Sequence, residues 1–164
     1  GQPVLPSEKV PVDSAKLVRD LGFDSVTSYV WIHHALLPAQ QTDYNVVRDA
    51  YFKYWDKADK MFGVPYFPNV TMGWDPSPRC DQSDKFDASG YPFTNTIANN
   101  TPERFRAALE MTKKRLLANP NGPRILNINC WNEWTEGSYL EPDTKNGLKY
   151  LEAVQTVFPP QTKP

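Results

Sequence analysis

Apolar and polar positions alternate along the chain in two periods. Behind Asp13 and Ser14, both good N-caps, Leu17, Val18 and Leu21 form a short helical stripe that Gly22 ends. Residues 23–30 are rich in β-branched and aromatic side chains and predict a strand. Asp43 then caps a longer helical stripe of Val47, Tyr51, Tyr54, Trp55, Ala58 and Phe62, closed by Gly63. Residues 64–72 read as a second strand. Thr101, Pro102 and Glu103 open a third helix, with proline at its first position and Phe105, Leu109, Thr112 and Leu116 along its inner face. Residues 119–123 break it, 124–130 form a third strand, and 147–157 form a last helix.

The order is helix–strand three times, closed by a helix, and it predicts a parallel sheet with helices packed against it. Three such strands leave two open edges. Strand alternation puts Leu126, Ile128 and Cys130 on one face and Asn127, Asn129, Trp131 and Glu133 on the other. Val26 and Val30 likewise oppose Ser25, Thr27, Tyr29 and Trp31, while Asn69, Thr71, Gly73 and Asp75 share the polar side. An apolar face under helices and a polar face inside predict an α/β fold of the (β/α)8 barrel type with a wet lumen. Residues 1–164 are thus expected to be the C-terminal portion, about three βα units, of a single barrel domain. The remaining N-terminal part would be its partner. A small self-contained three-layer fold is the alternative. Gly1-Gln2-Pro3-Val4 reads as the middle of a loop, and no signal peptide is visible there.

Composition narrows the function. With 18 Lys and Arg against 19 Asp and Glu, and no basic block, there is no electrostatic footprint for nucleic acid. Mean hydropathy is -0.60 and charges interrupt every apolar run, so no membrane insertion is expected. Two cysteines exclude a disulfide scaffold. The sixteen prolines form no single tract, lie for the most part between the periodic segments and predict long, rigid loops. Such loops, carrying many Trp and Tyr, suit a carbohydrate site in which flat rings stack on sugar faces.

In a barrel, chemistry sits where strands pass into the following loops. Three clusters fall there: residues 29–34, residues 73–79, and residues 129–143. The last holds Glu133 and Glu136, three residues apart and flanked by Trp131 and Trp134. Three residues span at most about 10 Å, so both carboxyls can address one bond. Glycoside hydrolysis needs two such groups, a proton donor and a base or nucleophile. Two solvated loop carboxylates would show the same spacing.

The run Trp131-Asn132-Glu133-Trp134-Thr135-Glu136-Gly137, followed by Tyr139-Leu140-Glu141-Pro142-Asp143, resembles the C-terminal signature of the WbsX-like proteins, also described as glycoside hydrolase family 99-like. The resemblance extends to Gly73-Trp74-Asp75 with Arg79 and to residues 22–29. It implies a (β/α)8 barrel and a retaining glycoside hydrolase that cleaves a polysaccharide or glycan, in a family whose members include mannoside-directed enzymes. It further implies that Glu133 deprotonates the sugar 2-hydroxyl, giving a 1,2-anhydro intermediate. Glu136 would protonate the leaving oxygen and then activate water. Thr135 and the tail beyond Tyr139 depart from family 99. Some WbsX-like proteins are labelled glycosyltransferases, so a transferase of cell-surface polysaccharide assembly and a non-catalytic glycan-binding barrel stay open. A hydrolase would work in an extracellular, periplasmic or lumenal compartment.

Tyr29, Trp31, His33, Trp74, Asp75, Arg79, Asn132 and Trp134 are the candidate substrate-binding residues. Trp74 either stacks on sugar or packs under its loop, and Asp75 and Arg79 either meet substrate or pair with each other. Trp131 can equally fill the lumen. No metal or other cofactor is expected: His33 and His34 diverge on an extended segment and lack a third ligand. Cys130 should face the helices. Glu141 and Asp143 either contact substrate or order the final loop. Asn69-Val70-Thr71 and Asn99-Asn100-Thr101 match the glycosylation pattern, the first within a predicted buried strand.

Overall fold

The computed structural model describes residues 12–87 and 89–160; the loop expected at residues 1–4 lies outside these. Helix α1 spans Ser14–Asp20, with the Asp13 carboxylate accepting from Lys16 N at 3.0 Å. Gly22 follows with φ +70°, a left-handed turn that costs glycine little. Strand β1 is confined to Val26–Thr27. The predicted strand shortens at its start because Phe23 N folds back onto Val18 O. At its far end, a 3-10 turn at Trp31–His33 replaces extended chain.

After β2 (Gln41–Asp43), α2 runs Tyr44–Met61, with Val47, Tyr51, Trp55 and Ala58 on its buried face. The second predicted strand is present as β3 (Tyr66–Phe67) and β4 (Asn69–Thr71), divided at Pro68, which has no N–H to give to a ladder. Strand β5 (Thr96–Ala98) precedes α3 (Pro102–Ala118), β6 is Asn127–Asn129, and α4 is Lys149–Val157. A hairpin of β7 (Asn132–Glu133) and β8 (Ser138–Tyr139) carries a 3-10 turn at Trp134–Glu136.

Strand β1 pairs parallel with β3, and β4 pairs parallel with β6. Because β3 and β4 follow each other, three successive strand positions lie side by side in chain order. Strands β2 and β5 form another parallel pair, joining two loops above the sheet's strand ends. The result is a mixed α/β domain with short parallel strand pairs and four helices among the described residues.

Trp31 is the main correction to the expected faces. It is fully buried, stacked on Tyr51 with ring centroids 5.5 Å apart, and its indole N–H donates to Asn69 O at 2.9 Å. The 3-10 turn rotates it off the strand alternation and into the helix-facing core beside Tyr44, Val47, Val70 and Phe105. The polar side is also drier than expected for a wet lumen at Asn69, Thr71 and Asn129, all buried. Thr71 Oγ1 donates to Asn69 Oδ1 at 2.7 Å and accepts from Trp31 N at 3.0 Å, whereas the buried Asn129 Nδ2 has no partner among the described residues. A second buried chain of hydroxyls, Tyr51 to Tyr66 at 2.7 Å and Tyr66 to Ser28, ties α2 to β1 and β3.

Asp43 joins α2 to α3. Its Oδ1 caps Asn45 N, and its Oδ2 accepts from Arg104 at 2.6 Å and Asn99 at 2.8 Å. The Arg104 hydrogen bond, then that of Asn99, holds its carboxyl at about 2, below the ordinary 3.8. A depressed carboxylate stabilises the fold fully above the unfolded value and loses that contribution as pH falls through the folded one. Unfolding midpoints in denaturant are therefore expected to drop between about pH 4 and pH 2, and Asp43→Asn should flatten that part of the profile.

Candidate active site

The hairpin at 132–139 holds both glutamates. Gly137 closes its turn with φ +62°, and a Cβ there would sit 2.9 Å from the Asp75 Cβ, so only glycine lets the two loops meet. Asp75 N donates to Glu136 O at 2.7 Å across that contact. Tight backbone docking thus places the Gly73–Arg79 segment against the Glu pair.

Arg79 is the hinge of the site. One guanidinium nitrogen lies 2.7 Å from Glu133 Oε1 and 3.7 Å from Glu136 Oε1. Its Nε donates to Thr135 Oγ1 at 2.8 Å, and that hydroxyl donates to Glu133 Oε1 at 3.2 Å. Arg79 therefore braces Glu133, not Asp75, whose Oδ1 accepts from Ser77 N instead. Glu136 is 8% exposed and receives Tyr29 Oη on Oε2 at 3.1 Å and Tyr91 Oη on Oε1 at 3.2 Å. Among the described residues Glu133 Oε2 has no hydrogen-bond partner, which leaves that oxygen open to a ligand.

The surroundings of Glu136 show in its neighbours. Burial, then the Glu136 carboxylate, pushes the Tyr29 hydroxyl up to about 12, so it stays a donor at neutral pH. Burial pulls the His33 imidazole down, opposed by Glu136, and its ring lies 6.2 Å from that of Tyr29. His34 instead stacks on Tyr54 at 3.8 Å. Among the described residues no three His, Cys, Asp or Glu side chains are placed to hold a metal ion. No described helix is long and apolar enough to cross a membrane.

The other candidates divide by exposure. Trp134 is 42% exposed, stacked on Tyr139 at 3.8 Å and held by Glu141, which accepts its indole N–H at 2.6 Å. Asn132 and Trp131 are also exposed, beside the pair. Trp74 is buried at 4%, its indole bonded to Thr94 Oγ1, so like Trp31 it packs the interior and offers no face to a sugar. Asp143 orders its own loop by accepting from Lys145 and Asn146. Cys130 and Cys80 are free thiols, and Cys130 Sγ donates to Ser138 O.

Tyr91 and Thr135 were not among the expected site residues. Tyr91 lies 45 positions from Glu136, and only its place on a strand-to-helix loop marked it. Thr135 stands inside the motif, where spacing says nothing of its hydroxyl.

Arg79→Met is expected to leave the denaturant unfolding midpoint nearly unchanged, because the pair is partly exposed and solvent screens it. Any reaction that uses Glu133 should slow at least tenfold, as the carboxylate would lose its strongest fixed donor. Parallel denaturation and turnover measurements check both.

The sequence model for "Glycosyltransferase WbsX" matches residues 10–154. An uncharacterised protein WxcX of Xanthomonas campestris pv. campestris, found in two strains, is 36% identical over 90 residues. That stretch covers 54% of this chain and 12% of the relative's length. No solved structure matches. The match runs from before α1 into α4 and takes in Tyr29, Arg79, Glu133 and Glu136 together, and on that extent the chain belongs to the glycosyltransferase WbsX family.

Proposed function

We propose that the chain carries the catalytic side of a carbohydrate-active enzyme that cleaves glycosidic bonds with retention, Glu133 and Glu136 being its working pair. The observation that carries this reading is the single Arg79 nitrogen reaching both carboxylates. It holds the gap between the two Oε1 atoms to about 6.4 Å at most, just under the roughly 6.5–9.5 Å of inverting pairs. The three adjacent parallel strand positions, with the site at their C-terminal ends, support a sector of a (β/α)8 barrel whose other strands cover the open edges.

In this scheme Glu133 Oε2 takes the proton of the sugar 2-hydroxyl. The resulting oxygen attacks the anomeric carbon, and the glycosidic C–O bond breaks as Glu136 gives its proton to the leaving oxygen. Water then opens the 1,2-anhydro ring, its proton passing to Glu136 while Glu133 returns a proton to O2. Tyr29 and Tyr91 hold Glu136 from both oxygens throughout, and exposed Trp134 supplies a face for the sugar.

The second reading is a glycosyltransferase, favoured by the description of the matching family. Incubating the full chain with glycan libraries separates them. New reducing ends without any nucleotide sugar, with the anomeric configuration kept in the first product, support hydrolysis. Transfer only on addition of a nucleotide sugar supports the second reading, and saturable binding with neither outcome leaves a glycan-binding role.

A further inference from the structure

A cavity of about 660 Å³, lined by neither glutamate, lies against the Ser77–Arg79 turn. Ser77 and Pro78 line it while Arg79, in the same turn, reaches Glu133. Asp75 belongs to both places, since it lines the cavity and its N–H is bonded to Glu136 O. Two residues of chain, about 7 Å at most, separate Ser77 in the cavity wall from Arg79, whose side chain reaches Glu133.

Its walls are built for a hydroxyl-rich ligand. Gln40 and Gln41 present amides and Phe86, 41% exposed, a ring face, while the Thr94 and Thr96 hydroxyls on the wall are already bonded to the Trp74 indole and to Gln40 O. Asp75, Asp81 and Asp84 add acceptors, and among the described lining residues there is no Lys or Arg. A phosphate, pyrophosphate or uronate would meet three carboxylates and no cation, a mismatch that costs affinity. The floor is rigid: β2 and β5 pair through it, and Gln40 O accepts Thr96 N at 2.8 Å. A pre-formed floor spares the ordering cost of binding.

We propose that this cavity is a saccharide subsite for a neutral sugar unit of the same glycan whose scissile bond lies at Glu133 and Glu136. This rests on the carbohydrate-active reading of that pair. Amides and carboxylates take vicinal hydroxyls, and Phe86 stacks on the sugar's apolar face. The pyrophosphate of a nucleotide sugar does not bind here.

The test is calorimetric titration of the full chain, in a Glu136→Gln background that does not turn over. The probes are neutral tetrasaccharides from mannan, glucan and galactan, with tetragalacturonate and UDP-glucose alongside. At least one neutral probe is expected to bind. Phe86→Ala should weaken it roughly tenfold and Gln41→Ala several-fold, with unchanged circular dichroism, because both side chains are exposed. Tight binding of an anionic probe that Phe86→Ala weakens overturns the proposal. So does the absence of any neutral binding, or neutral binding indifferent to both substitutions. If Phe86-dependent binding holds while the native chain cleaves nothing, the subsite stands and hydrolysis falls. If cleavage requires Glu136 but ignores Phe86, the subsite falls and the Glu pair stands.

Discussion

Under the proposed cleavage, turnover of glycan by the full chain is expected to fall about 1,000-fold in Glu136→Gln, within the range by which a positioned acid or base accelerates reactions. The amide keeps the volume and can still accept from Tyr29, so the hairpin should stay folded. It has no proton to give the leaving oxygen. A dinitrophenyl glycoside needs no such proton, and Glu136→Gln should therefore release a burst of phenolate from it before stalling at the water step. Glu133→Gln should show no burst, because the 2-hydroxyl would keep its proton. Pre-steady-state absorbance distinguishes the two variants. Unchanged cleavage of unactivated glycan by Glu136→Gln would remove Glu136 from the mechanism. Equal bursts from both variants would reverse or abolish the division of roles.

Trp31→Ala is expected to cost about 4 kcal/mol of folding free energy, read from urea unfolding with circular dichroism. Trp31 is fully buried between Tyr44 and Tyr51, and it is the donor to Asn69 O. Truncation leaves a cavity at the junction of the Trp31–His33 turn, α2 and β4, and strips a buried carbonyl of its donor. Trp31→Phe should recover most of the packing and cost less, about 1–2 kcal/mol. A sugar-stacking tryptophan behaves the other way, losing affinity on truncation while stability barely moves. A stability change below 1 kcal/mol for Trp31→Ala would contradict its place in the core.

Trp31 also shows where sequence reading stops. Strand alternation assigned it to the polar face with Tyr29, and Tyr29 does lie half-exposed against Glu136. The difference arises from the 3-10 turn that begins at Trp31, which changes the period from two to three within one residue. Apolar content there gives no hint of it. Pro68 is the opposite case: the residue that splits the middle strand is visible, and the missing N–H gives the reason. The β2–β5 pair escaped notice because its strands are three residues each, too short for periodicity to register.

What the sequence determined by itself is what neighbours in the chain settle among themselves. Asp13, Asp43 and Thr101 cap the helices that follow them, since a cap bonds an N–H two or three residues on. Glu133 and Glu136 share one small hairpin because three residues cannot carry them far apart. The tertiary structure alone decided which groups those carboxylates meet. Arg79 lies 54 residues from Glu133, and Tyr29 lies 107 from Glu136. It also decided that Trp74 packs inward while Trp134 stays open. Those choices follow from how the strand-to-helix loops dock, through contacts such as Gly137 on Asp75, where space at one backbone position depends on a distant segment.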